Sequence, residues 1–180
     1  LAFIITTNFN TYSQLTGTNK GNRIPLPAAP FLSIPPDARA AGMGDVGVAT
    51  TPDANSTFWN PAKLAFIEQP NGVSLSYTPW LGNLVNDMSL SYLSGFYKID
   101  KNSTLAATIN YFDLGYIQFT NSQGVTTGDY YSKEFAASAS YARKLSSNIG
   151  VGVSLRYILS DLTGTLVVNG NTTKPGTSAS

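Results

Sequence analysis

A chain of 180 residues with a net charge of +1 has room for one domain and carries no electrostatic field that would draw nucleic acid or an anionic surface. Cysteine and histidine are both absent, which excludes a disulfide framework, thiolate metal sites, His-dependent triads and the commonest general base. Charged residues make up 12%, about half the usual share for a soluble domain. The longest apolar run, Leu1 to Ile5, falls far short of the roughly 20 residues that a membrane helix needs.

Residues 6–36 are polar and punctuated by Pro25, Pro27, Pro30, Pro35 and Pro36, a composition that extends rather than packs, and residues 1–36 are expected to form an extended N-terminal arm. No basic n-region opens the chain, so a signal peptide is not expected within it. Residues 37–70 hold "AAGMGDVGVAT" and then "DANSTFWNPAKLAFI". Gly42, Gly44 and Gly47 match the G-x-G-x-x-G spacing of a dinucleotide-binding loop, but Pro35 and Pro36 replace the strand that should precede it, and Pro52 stops the helix that should follow. The expected role of these glycines is a close backbone path through a crowded space. Asn60 is a good N-cap and Pro61 a good first helical residue, which predicts one short helix over about 61–66.

From Val73 onward the period is two. Ile149, Val151, Val153, Leu155, Tyr157 and Leu159 share one face, with Asn148, Gly150, Gly152, Ser154 and Arg156 on the other. Leu105, Ala107, Ile109 and Tyr111 alternate with Thr104, Thr108 and Asn110, and Phe135, Ala137, Ala139 and Tyr141 with Glu134, Ser138 and Ser140. Val73, Leu75 and Tyr77 open the series; Met88, Leu90 and Tyr92 continue it until a slip at Ser94–Gly95, where a bulge or bend is expected. Five strands result. The turns "IDKNS" and "LSSN" are tight, whereas 78–87, 115–132 and the tail from Ser160 read as long loops.

A half-buried sheet of a soluble sandwich alternates too. Against it stand strands of about 10 to 13 residues, where about 9 to 11 cross a bilayer and 5 to 6 are usual in soluble sheets. The second face is small and polar, and aromatics (Tyr77, Trp80, Tyr92, Phe96, Tyr97, Tyr111, Phe112, Tyr141 and Tyr157) lie toward strand ends as in interfacial girdles. The expected fold is all-β, a transmembrane outer-membrane β-barrel, with residues 71–180 supplying its first strands. Five strands cannot close in lipid, so further strands are expected.

Asp37, Asp45, Asp53 and Arg39 form no ligand or acid–base pattern, and are expected as ion pairs anchoring a plug, with Arg156 and Glu134 as partners of these or of each other. Asn55, Asn102 and Asn171 match the glycosylation acceptor pattern by chance in an Asn/Thr-rich chain. Trp80, Leu81, Leu84 and Val85 place apolar side chains in a connection, where they could meet a hydrophobic ligand, a partner protein or lipid headgroups. No cofactor, metal or catalytic residue is expected; no serine sits in a nucleophile-elbow context.

Residues 37–66, "DARAAGMGDVGVATTPDANSTFWNPAKLAF", resemble the FadL-like outer-membrane transporter superfamily, through Asp53, Ala54, Ser56, Thr57, Phe58, Asn60, Pro61 and Ala62, at the position of its N-terminal hatch. More narrowly, "ARAAGMGDVGVAT" with "FWNPAKLA" is similar to the PorV (LptO) family of the Bacteroidetes type IX secretion system. The resemblance implies a barrel of fourteen strands with a hatch over 37–70. The hatch motif comprises Arg39, Gly42, Gly44, Asp45, Gly47, Asp53, Asn60, Pro61 and Ala62. It also implies a non-enzymatic role in which the protein binds a SprA/Sov-type translocon barrel, takes cargo by its C-terminal signal domain and delivers it to a PorU-type attachment complex in the bacterial outer membrane. The alternative is a FadL-type channel for hydrophobic small molecules, which would need a continuous apolar path within the barrel. Outer-membrane lipid is an expected partner and nucleic acid is not.

Overall fold

The computed structural model describes residues 29–82, 87–120, 123–162, 167–168, 171–172 and 175–180. The expected arm therefore lies outside the described residues except for its last eight. Part of that stretch packs rather than extends: a 3-10 helix, η1 (Pro30–Ser33), buries Phe31 while Pro30 and Ser33 stay exposed. Three short helical turns follow. α1 (Ala38–Gly42) starts because the Asp37 carboxylate accepts from the Arg39 and Ala40 N–H groups. α2 (Ser56–Trp59) leads into η2 (Pro61–Phe66), where Asn60 Oδ1 accepts from Ala62 N at 3.1 Å and Pro61 occupies a position whose N–H has no helical partner. The helix read from the sequence is found in place, wound as 3-10.

The body is an antiparallel sheet of order β1-β2-β3-β4-β5-β8, built from β1 (Asn71–Pro79), β2 (Ser89–Lys98), β3 (Ser103–Thr120), β4 (Thr126–Lys144), β5 (Gly150–Asp161) and β8 (Gly176–Ala179). β6 (Val167–Val168) and β7 (Asn171–Thr172) pair separately. The fold is all-β. Both predicted tight turns are present, closed by Ile99 N to Ser103 O and by Leu145 N to Ile149 O.

Three features depart from the sequence reading. First, 115–132 is largely not a loop: β3 and β4 stay paired to Thr120 and Thr126 across a bulge between Asp113 and Gly115. Gly115 permits that bulge, with φ of +75° and a position against the Asp87 carboxylate that a Cβ would strike. Second, the tail returns as β8 to pair with β5. Third, no slip occurs at Ser94–Gly95, where Ser94 pairs with Ser74 and Thr108, and Gly95 with Val73 and Ala107, in unbroken register.

The two faces differ in the opposite sense from a soluble sheet. On the open face Val73 and Leu155 are 78% and 77% exposed, and Leu75, Leu93, Leu105, Ile109, Val151 and Val153 lie exposed beside them. On the covered face Ser94, Thr104, Thr108, Asn110, Glu134, Ser138 and Ser140 are buried. The apparent slip in β2 has its explanation here, because Leu90, Tyr92 and Phe96 belong to the covered face and alternate steadily with the outward Leu93 and Tyr97. Trp80 and Phe112 also turn inward, so the aromatics read as an outer girdle divide between the faces.

Candidate functional site

The covered face and the N-terminal segment seated on it form the site. Two apolar clusters hold the segment. At the tight-turn end, Leu64, Ala65 and Ile67 of the η2 region pack with Ala54 on Phe96, Ala106 and Ala142. At the other end, Phe31 of η1 packs on Leu90, Phe112 and Ala136, with Trp80 edge-on to Phe112 at 5.9 Å between centroids.

β5 lets η2 approach so closely because it presents no side chains there. A Cβ at Gly152 would stand 2.6 Å from Ala62 N and 2.8 Å from Pro61 C; one at Gly150 would stand 2.7 Å from the Phe66 ring. These two glycines make a backbone-to-backbone seat, which periodicity alone showed only as a small polar face. Polar contacts fix the register of the segment. Ser94 Oγ donates to Asn55 Oδ1 at 2.9 Å, Lys98 Nζ to the Ile67 carbonyl at 2.7 Å, and the Lys144 ammonium lies 5.3 Å from the centre of the Phe66 ring.

Between the clusters runs a polar row. Ser74, Ser94, Thr108, Ser138 and Arg156 face one another in register across five strands. Arg156 Nε donates to Ser138 Oγ at 3.1 Å, and Glu134 accepts from Ser160 Oγ at 2.7 Å. The expected ion pairs between these two and the segment's carboxylates do not form among the described residues.

Within the segment, Arg39 pairs with Asp53 at 3.5 Å and reaches Thr51. Asp53 and Ser56 bond reciprocally, the Asp53 N–H donating to Ser56 Oγ and the Ser56 hydroxyl to the Asp53 carboxylate, which closes the turn that leads into α2. Lys63 is buried and donates from Nζ to Gly47 O at 2.6 Å and Thr50 Oγ1 at 2.9 Å. Burial lowers its pKa below the usual lysine value, an effect opposed by the nearby Asp53 carboxylate.

The three glycines of "GMGDVG" serve different ends. Gly44 has φ of +79° with open space around it, and Asp45 follows at +61°, so this stretch is a left-handed turn. Gly47 lies against the Trp59 indole, where a Cβ would collide. Gly42 faces open space, with nothing within 4 Å of where a Cβ would stand, which removes the expected crowding there. Asn60, Pro61 and Ala62 form the turn that meets β5. Of the apolar connection, Trp80 is packed inward rather than exposed, while Leu81 is exposed at φ of +53°. Leu84 and Val85 lie outside the described residues.

An antiparallel sheet that turns apolar side chains outward and receives its own N-terminal segment on the other face, on two apolar clusters with a polar row between them, defines an all-β protein that covers one face of its own sheet. The family model described as "Type IX secretion system protein PorV" matches residues 17–179, and the chain belongs to that family. It is thus a component of the type IX secretion system. No curated protein matches the chain.

Proposed function

We propose that the chain is the hatch-bearing part of an outer-membrane β-barrel that serves type IX secretion without catalysis. In this role it binds a SprA/Sov-type translocon barrel, accepts cargo through C-terminal signal domains and carries it to a PorU-type attachment complex. The observation that carries the membrane reading is the reversed sheet, in which the apolar face is the exposed one. In water that face would be an aggregation surface; against hydrocarbon it is the stable arrangement. Residues 37–70 serve as the hatch, and 71–180 as wall strands of a fourteen-strand barrel whose closure the open edges of β1 and β8 require in lipid.

The reading as a channel for hydrophobic small molecules fits the covered face less well. The row from Ser74 to Arg156 interposes hydroxyls and a guanidinium between the two apolar clusters. An apolar solute crossing it would meet polar groups that it cannot pair.

Affinity capture from detergent-solubilised membranes tests the proposal. Recovery of the large translocon barrel with this protein, together with cargo retained inside cells that lack the gene, is the expected result. Normal cargo release from such cells would refute it.

A further inference from the structure

The seated N-terminal segment covers polar atoms of the wall that it does not bond. Tyr92 Oη, Thr104 Oγ1 and Asn110 Oδ1 on the covered face, and Thr57 Oγ1 on α2, are shut away from solvent and have no hydrogen-bond partner among the described residues. All four residues are at most 4% exposed.

Their surroundings explain the deficit. Tyr92 and Asn110 stand side by side in register on β2 and β3, and the row continues into Ala136 and Ile158, which offer neither donor nor acceptor. Against Tyr92 lies Phe58 of α2, edge-on with 6.3 Å between ring centres. Thr104 pairs with Ala142 and precedes Ala106 on the same face of β3, in the patch where Leu64 and Ala65 pack. Trp59 Nε1 also lacks a partner, but it lies against Gly47 and so belongs to the segment's own interior. By contrast Ser94 and Lys98 each bond the segment, through Asn55 Oδ1 and the Ile67 carbonyl.

A buried polar atom without a partner bears a desolvation cost that no bond returns, whereas an apolar group of the same shape bears none. On the wall that cost exists only while the segment is seated. Phenylalanine at 92 and valine at 104 would keep the shape of the covered face and hold the segment more tightly.

We infer that the N-terminal segment is a strap poised to lift, held down by apolar packing and opposed by the unpaired polar atoms beneath it. The closed position is thereby set near balance, and water reaching Tyr92, Thr104 and Asn110 favours release. The inference concerns the seat itself and stands apart from what the protein carries.

Hydrogen exchange of the full chain in mild detergent tests it, read at the Ala62, Lys63 and Ile67 amides of the η2 region. Tyr92→Phe and Thr104→Val each delete one hydroxyl and preserve shape. Each is expected to slow exchange at these amides roughly fivefold or more, and the double variant to slow it further. Ser94→Ala removes a bonded hydroxyl and strands Asn55 Oδ1, so it should speed exchange at the same amides. A general loosening of the fold would instead move all three variants in one direction. Protection of the β4 amides, retained in every variant, reports that the wall is intact. Faster exchange in Tyr92→Phe and Thr104→Val would show those hydroxyls to be bonded in the seated state, and unchanged exchange would show them indifferent to the segment; either result overturns the inference.

Discussion

Gly152→Ala is the sharpest probe of how the N-terminal segment is held. The added methyl would stand 2.6 Å from Ala62 N and 3.0 Å from Ala62 Cα, and ordinary contact begins near 3.4 Å, so η2 must retreat by about 0.8 Å. The obstructing atoms are backbone, which cannot rotate aside as a side chain can. Overpacking of this kind costs about 1–3 kcal/mol. A ceiling exists, because η2 can leave the sheet altogether at the cost of exposing Leu64 and Ile67, about 1.5–3 kcal/mol each. Alanine is therefore expected to strain the seat, and valine to vacate it. Hydrogen exchange of the full chain reads this directly: the Ala62, Lys63 and Ile67 amides, bonded to Asn60 Oδ1, Asn60 O and Leu64 O, should exchange roughly 5- to 150-fold faster in Gly152→Ala. Amides of β5 should keep their protection. Gly128→Ala, where a Cβ meets nothing within 4 Å, is the control. Unchanged exchange at Ala62, Lys63 and Ile67 in Gly152→Ala would refute the seat.

Gly44→Ala should lose about 1–2 kcal/mol because alanine resists the left-handed turn at φ of +79°, while Gly42→Ala, free of contacts, should lose nothing; equal denaturation midpoints for the two would contradict this. Trp80→Ala should cost roughly 2–3 kcal/mol, below the 3–5 of a fully buried tryptophan, and a loss under about 0.5 kcal/mol would show that the inward packing on Phe112 is not maintained. Lys63 has a pKa below its unfolded value of 10.5, so between the lowered value and 10.5 the unfolded chain holds more protons and stability rises with pH. Below that window both states are protonated and the cost of burying the ammonium is present in full. The stability of wild type relative to Lys63→Met should accordingly improve as pH climbs through the window, and a flat difference would argue against burial of the ammonium.

What could be read from the sequence follows from how local each cause is. Asn60–Pro61 starts a helix by contacts within two residues, and that helix was legible. Reversed faces were legible in β1, β3, β4 and β5 because alternation is a property of one strand at a time. β2 misled, since its inward Leu90, Tyr92 and Phe96 are apolar where the N-terminal segment packs on them, and two apolar faces in one strand imitate a slip. The extension of β3 and β4 carries Tyr, Gln, Thr and Asp with no clear period; it is strand because each half pairs with the other. The seat at Gly150 and Gly152 needs the position of η2, more than eighty residues earlier, and nothing local announces it. Pairing of Arg39 with Asp53 rather than of the segment with Arg156 is equally a matter of distance in space.

The two parts of the structure are stabilised by different forces, and this bears on which can move. The wall is a continuous ladder of six strands, and against hydrocarbon its backbone bonds would have no water to replace them. From Arg39 to Ile67 the segment is held by one small apolar cluster, a pair of side-chain bonds from Ser94 and Lys98, and a glycine seat that forms no bond of its own, while the second cluster holds η1 through Phe31. Its own internal bonds, Arg39 with Asp53, Lys63 with Gly47 and Thr50, and Asp53 with Ser56, tie its turns to one another and would survive its departure from the wall. Opening is therefore expected to proceed with the segment from Arg39 to Ile67 leaving as a unit while the sheet persists. In a hydrogen-exchange experiment its amides should report one common opening free energy, well below that of β2 to β4; protection of the segment lost only together with that of the strands would show the wall and its filling to be a single cooperative core.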